Sequence, residues 1–223
     1  MRQPLKKRVV AEVLGTFFLL AAVVGSGIMA ERLANGNIAL ALLANAVATG
    51  AALVALIISF AEVSGAHFNP VVTLSLALRR DLPWNEVPFY WLAQLAGGIG
   101  GVMAANVMFG LPAAFLSHHP RTGMAQLFSE FIATLGLLSV ILAASRSTIA
   151  VVAIAVGAYI TSAYWFTAST SFANPAVTIA RCLSDTFAGI RPLDAPGFVV
   201  AQLAGGIVAT VLFQWLMPAR EHE

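Results

Sequence analysis

The sequence predicts an all-α membrane protein: one domain of six transmembrane helices plus two re-entrant half-helices. Three observations predict it. The 223-residue chain is 59% hydrophobic and 10% charged, and a soluble domain of that length carries far more charge. Apolar runs of bilayer-crossing length recur from end to end. An Asn-Pro pair interrupts each half, in "SGAHFNPVVTLSLALRR" and again in "SFANPAVTIAR". No strand-like alternation or long polar loop suggests a barrel, so helices must satisfy the backbone.

The six apolar runs lie at about Val9–Ala30, Ile38–Phe60, Val87–Phe109, Ala125–Ala144, Thr148–Phe166 and Phe198–Met217. Lys6, Lys7 and Arg8 before the first run have the look of a signal peptide. That run is long, however, and the repeat described next requires it as a permanent helix. Cys182 is the single cysteine, so no internal disulfide forms. With both termini cytoplasmic, the inner segments hold Arg2, Lys6, Lys7, Arg8, Arg79, Arg80, Arg146 and Arg220, and the outer ones only Arg32, Arg121, Arg181 and Arg191. This asymmetry predicts termini inside. The net charge of +2 is thereby a topology signal, with no call for a nucleic-acid partner.

The chain repeats itself. "AEVLGTFFLL" answers "SEFIATLGLL", pairing Glu12 with Glu130 and Thr16 with Thr134. "WLAQLAGGIGGV" answers "VVAQLAGGIVAT", with "AQLAGGI" identical and Gln94 matched to Gln202. Asn69-Pro70 answers Asn174-Pro175. The halves run over about 5–112 and 122–218 of the single domain 1–223. Each half has three spans, an odd number, so the second enters the membrane from the opposite side. Inverted repeats of this kind place transport paths at the interface between halves.

Proline has no N–H and a fixed φ, so Pro70 and Pro175 suit a first helical turn. Asparagine before each is a good N-cap. Each corner therefore predicts a half-helix, Pro70 to about Leu78 and Pro175 to about Leu183, too short to span. Opposite insertion brings the two helix N-termini together near the midplane, each with roughly half a positive charge. Asn69 and Asn174 offer amide donors to the shared space. The loops before them, Gly65 to Phe68 and Thr170 to Ala173, offer carbonyl acceptors. Donors at the centre and acceptors along the way suit a neutral hydrogen-bonding solute, and the positive centre opposes cations.

"SGAHFNP" and "FANPA", with six spans and a glutamate early in spans one and four, resemble the major intrinsic protein family of aquaporins and aquaglyceroporins. The resemblance covers almost the whole chain. It implies a homotetramer in a bacterial-type inner membrane, one pore per subunit, and passive conduction without cofactor, metal or catalytic residues. The first corner departs mildly, reading Asn69-Pro70-Val71 in place of Asn-Pro-Ala.

A larger departure follows the second corner. Most of the family has arginine directly after Asn-Pro-Ala, where it helps form the narrowest ring. Here Val177 stands. Ungapped counting from the corners transfers the other ring positions to Thr49, Ser162 and Ser171. A ring of Thr49, Ser162, Ser171 and Val177 would be wide and moderately polar, with no fixed charge. A guanidinium is bulky and always charged, so its loss is expected to admit larger polyhydroxy solutes.

Other side chains have structural readings. Arg181 shares a helical face with Val177 and reads as a C-terminal cation on the helix dipole. Tyr164, Trp165 and Phe166 read as an interfacial aromatic belt. His118 and His119 read as solvated loop residues. An ionised side chain inside a span costs about 2.5–3.5 kcal/mol, so Glu12 and Glu130 need a purpose. They read as braces accepting N–H groups of the half-helix loops, with His67 bracing the first loop and Glu62 read likewise. The expected function is a passive channel for water, glycerol-like polyols and undissociated metalloid hydroxides such as arsenite. A water-conducting aquaporin is the alternative within the fold. An ion-coupled transporter using Glu12, Glu62 or Glu130 is the alternative outside it. No metal-ligand set or nucleophile–base pair points to an enzyme.

Overall fold

The computed structural model describes residues 2–217; Arg220, counted in the charge asymmetry, lies outside them. Among the described residues every regular element is helical. Helix α1 spans Leu5–Leu33, α2 Ile38–Ser64 and the half-helix α3 Pro70–Leu78. One 3₁₀ turn, Trp84–Glu86, leads into α4, Val87–Met108. The second half gives α5 at Met124–Ala144, α6 at Ile149–Phe166, the half-helix α7 at Pro175–Arg181 and α8 at Ala195–Leu216. Six of these, with the 3₁₀ turn joined to α4, are long and apolar enough to cross a membrane. The order long, long, half, long is the same in both halves.

Local chemistry sets the ends. Asn37 caps α2, its side-chain oxygen accepting from Leu40 N–H at 3.1 Å. Gly65 closes the same helix with φ +91, a left-handed conformation that glycine adopts at little cost. Both half-helices start on Pro with Asn as N-cap. The second ends at Arg181, two residues short of the expected Leu183, because Cys182 and Leu183 already bond back in tight turns to Ile179 O and Ala180 O. Helix α1 runs past its expected Val9–Ala30 at both ends; at its start Arg8 is buried rather than left in water. Its guanidinium donates to both carboxylate oxygens of Glu86, at 2.6 and 2.7 Å.

Glycine sets how closely the helices cross. A Cβ on Gly97 would sit 2.3 Å from Val13 O, and one on Gly101 2.2 Å from Phe17 O. In the second half a Cβ on Gly205 would sit 2.3 Å from Phe131 O. Thus α1 lies backbone-to-backbone on α4, and α5 on α8, as small residues permit in membranes. The two halves meet the same way: α2 packs on α6, where a Cβ on Gly50 would reach Gly157 O at 2.8 Å. The half-helices α3 and α7 each pack against both α4 and α8. That interleaving holds the two corners against each other at the middle of the bundle.

Candidate functional site: the path between the half-helices

The corners touch. Asn69 donates from Nδ2 to Ala173 O at 2.8 Å, and Asn174 donates from Nδ2 to Phe68 O at 2.8 Å. Each asparagine oxygen meanwhile caps its own half-helix, accepting from Val71 N–H at 2.9 Å and from Ala176 N–H at 3.0 Å. An amide nitrogen has two hydrogens. One is used across the corner, and the other is left for the cavity that both residues line.

That cavity has two kinds of wall. One is apolar: Leu19 and Val23 of α1, Leu53 and Ile57 of α2, Leu137 and Ile141 of α5, and Val152, Val156 and Ile160 of α6. The other is polar backbone and amide: Gly65 to Asn69 on one side of the middle, Ser171, Phe172 and Asn174 on the other. It holds about 130 Å³ of space for the centres of water-sized molecules. The loops that make the polar wall are held in an uncommon shape. Ala66 and Phe68 have φ +50 and +49, and Thr170, Ser171 and Ala173 have φ +62, +51 and +49. Left-handed backbone at residues other than glycine costs about 1–3 kcal/mol each and persists only where the surroundings enforce it.

Two buried carboxylates enforce it. Glu12 is fully buried. Its Oε1 accepts from Ser64 Oγ at 2.6 Å and His67 N–H at 3.0 Å, and its Oε2 accepts from Phe68 N–H at 2.7 Å and Gln94 Nε2 at 2.8 Å. Glu130, equally buried, accepts from Phe172 N–H and Ala173 N–H at 2.9 Å each, and from Gln202 Nε2 at 2.6 Å. Gln94 also donates to Thr73 Oγ1 at 2.9 Å, and Gln202 to Thr178 Oγ1 at 2.8 Å. The same net therefore runs twice: carboxylate, two loop N–H groups, glutamine, and a threonine on the half-helix. Of the repeated pairs, the glutamates and the glutamines sit in this net. Thr16 and Thr134 do not, since Thr16 Oγ1 is buried without a partner and Thr134 Oγ1 donates to Glu130 O of its own helix at 2.8 Å. His67 lines the cavity and bonds through Nδ1 to Thr73 Oγ1 at 3.0 Å. Glu62, expected to brace as well, is exposed and outside this net.

The expected ring does not assemble as counted. Thr49, Ser171 and Val177 line the cavity, and Ser162 does not. Ser162 is exposed, and its hydroxyl donates to Tyr159 O of its own helix at 2.7 Å. The α6 residues that do line the path recur every fourth position: Val152, Val156, Ile160, Tyr164. Ser162 lies two residues from that stripe. At 3.6 residues per turn that is roughly 200° around the helix, the outer face. Tyr164 takes the place facing α2, with its hydroxyl 3.2 Å from Thr49 Oγ1. It is buried, while Trp165 and Phe166 are exposed; the three-residue belt thus splits, because neighbours on a helix point different ways.

Arg181 is a basic residue in the last turn of α7, as expected, but its surroundings were not anticipated. It is buried on the cavity one turn beyond Val177. Its Nε donates to Ala188 O, and its Cζ stands 3.5 Å from the centre of the Phe172 ring. Arg121, read as an outer loop charge, is buried too. It donates to Gly189 O at 2.8 Å, to Ser169 O at 3.2 Å and to Phe187 O at 3.4 Å. Burial pulls its pKa down to about 10. His118 and His119 are exposed loop residues, and His118 Nδ1 lies 3.1 Å from Asp185 Oδ2. The i, i+4 stripe of α6 was visible in the sequence and would have found Tyr164. Nothing in the sequence placed Arg121 beside Phe172.

A lined path between two crossed half-helices, inside six spanning helices, defines a polytopic membrane channel. The chain belongs to the major intrinsic protein family, whose model matches residues 1–148 and 143–223. It is 54% identical over 217 residues to "Aquaglyceroporin AqpS" of Rhizobium meliloti, covering 97% of this chain and 93% of that one. It is 34% identical over 194 residues to "Aquaporin NIP2-1" of Zea mays, covering 83% of this chain and 64% of that one. The X-ray structure of the aquaglyceroporin from Plasmodium falciparum matches with a TM-score of 0.78, covering 96% of this chain and 98% of that one. At 20% identity that match speaks for the fold.

Proposed function

We propose that this protein is a passive channel for small uncharged solutes: water, glycerol-like polyols and undissociated metalloid hydroxides such as arsenite. The observation that carries the proposal is the two-sided wall. An apolar strip faces a strip of amide and carbonyl groups, and the two asparagines add donors at the middle. A polyol has hydroxyls on one edge and carbon on the other, so it can shed its water against such a wall without leaving polar groups unpaired. Trivalent arsenic hydroxide resembles glycerol in size and hydroxyl display. Val177 supports the wider range of solutes, because a valine leaves space that an arginine would fill. The bacterial relative is named an aquaglyceroporin, which agrees with polyol conduction. Lipid surrounds the spans in this reading, four copies assemble with one path each, and both termini face the cytoplasm. Glu12 and Glu130 act as braces, since their oxygens are already occupied by loop N–H groups and glutamines. That occupation disfavours proton-coupled transport.

Stopped-flow measurements on proteoliposomes with water, glycerol and arsenite gradients test the proposal. All three fluxes should exceed those of empty vesicles and run only down their gradients. Accumulation of any of these solutes against its gradient, or its dependence on an imposed proton gradient, would replace the channel with a transporter.

A further inference from the structure

Two guanidinium groups share one aromatic ring at the end of the path away from the termini. Arg181 Cζ lies 3.5 Å from the centre of Phe172, and Arg121 Cζ lies 4.9 Å from it. Neither arginine forms an ion pair among the described residues. Their bonding differs, however. Arg121 is held through all three nitrogens by carbonyls of the surrounding loops. Arg181 is held only through Nε, by Ala188 O. Its two terminal nitrogens have no protein acceptor among the described residues, and it stands on the cavity wall. Ser171 lines the same cavity, 3% exposed, with an Oγ that has no hydrogen-bond partner. A buried fork of donors and a buried unpaired hydroxyl on one wall leave hydrogen bonds for something that passes.

From this arrangement we infer that Arg181 is the charge-selecting residue of the pore and, with Ser171, its solute-oxygen subsite. The inference rests on the channel reading above. Arg181 stands four residues past Val177, about 6 Å farther along the helix. Width and charge are thereby separated. Val177 leaves the path open at one level, and the fixed positive charge stands at the next, free of a carboxylate that would cancel it. Phe172 supplies the platform, and Arg121 packs on the same ring and holds the loop that carries it. A cation passing within about 6 Å of an uncompensated guanidinium at an effective dielectric near 20 is disfavoured roughly a hundredfold. A neutral polyol meets no such barrier and gains donors for its oxygens.

The test is the ratio of sodium to water permeability in proteoliposomes, which cancels the amount of protein inserted. Arg181→Gln should raise that ratio at least about tenfold. Arg181→Lys, which keeps the charge, should stay near wild type. The double variant Val177→Arg/Arg181→Gln, which returns the charge to the earlier turn, should bring the ratio down again and lower glycerol flux. If Arg181→Gln does not reach the membrane, Arg181→Met, apolar and long enough to lie on Phe172, carries the same comparison. A residue that merely pins the loop at Ala188 would alter yield and leave the ratio of inserted protein unchanged, and that result would overturn the inference. Failure of the channel reading is separately visible: wild-type vesicles would then pass solute no faster than empty ones, and the inference would go with it.

Discussion

Asn69 donates to the carbonyl of Ala173 across the middle of the bundle at 2.8 Å, joining a corner of the first half to a loop of the second. Asn69→Asp would set a carboxylate oxygen against that carbonyl. Two acceptors then face each other in a buried site, and an unsatisfied buried group costs about 1–3 kcal/mol, more if charged. Solute flux per inserted molecule should fall, and thermal stability in detergent should drop by a similar amount. Asn174→Asp should do the same through Phe68 O. Wild-type flux and melting in both variants would mean that the corners do not meet in the path.

Glu12 and Glu130 supply the second prediction. In Glu12→Gln one oxygen becomes an NH₂ group, which must face either Phe68 N–H and Gln94 or Ser64 and His67 N–H. Donor then meets donor. The left-handed backbone at Ala66 and Phe68 loses an anchor, so stability should fall by about 1–3 kcal/mol. Glu130→Gln should act likewise on Ser171 and Ala173. Flux in the surviving fraction should remain indifferent to a proton gradient, checked by swelling with and without a pH step. Strict loss of a gradient-driven component would favour the transporter.

The third prediction uses the glycine contacts. Gly97→Ala and Gly205→Ala place a methyl 2.3 Å from a backbone oxygen of the facing helix. Backbone cannot rotate aside as a side chain can, so each crossing must open, at about 1–3 kcal/mol. Gly98→Ala meets nothing closer than 3.4 Å and should be nearly neutral. Thermal unfolding of the three variants in one detergent separates them, and equal losses would contradict the packing argument.

Val177→Arg adds a bulky group to the wall of the cavity that Ser171 and Thr49 also line. Glycerol and arsenite fluxes should fall more than water flux, because the larger solutes more nearly fill the opening. Pairing the change with Thr49→Trp should sharpen the difference. If the three stopped-flow rates kept their original ratio, Val177 would not act on selectivity.

Ser162 and Tyr164 give a direct comparison. Ser162→Leu on the outer face of α6 should leave the ratio of glycerol to water flux as it was. Tyr164→Ala should raise it, because the ring facing Thr49 is removed. The opposite pattern would restore the counted ring and remove Tyr164 from the path.

Much of this fold is written locally. Asn-Pro specifies a capped first turn whatever surrounds it, and a run of apolar residues specifies a span, so both half-helices and all six spans are legible. The braces are legible because a carboxylate in an apolar run needs donors and the loops have spare ones. The ring was legible only in part. Counting residues along a chain ignores the angle at which a helix presents them, and an error of two residues turned Ser162 to the outer face. The burial of Arg181 was illegible for a different reason. Its sequence neighbours describe a helix end, whereas Phe172 and Ala188, which hold it, come from loops on either side of that helix. Such contacts depend on how the loops close in space, which local propensity does not encode.

The cross-bonded corners also set a timetable. A ribosome that has finished the first three spans has released a half-helix whose asparagine has no Ala173 to reach, and a Phe68 carbonyl with no Asn174 to satisfy it. The middle of the bundle therefore cannot take its final form until the second half has been translated and threaded in from the other face. Until then the first corner is an unfinished surface inside the bilayer, tethered only from its own half, by Glu12 and Gln94. Maturation of the pore is accordingly a late event in the life of the nascent chain, and damage to either half is felt by both.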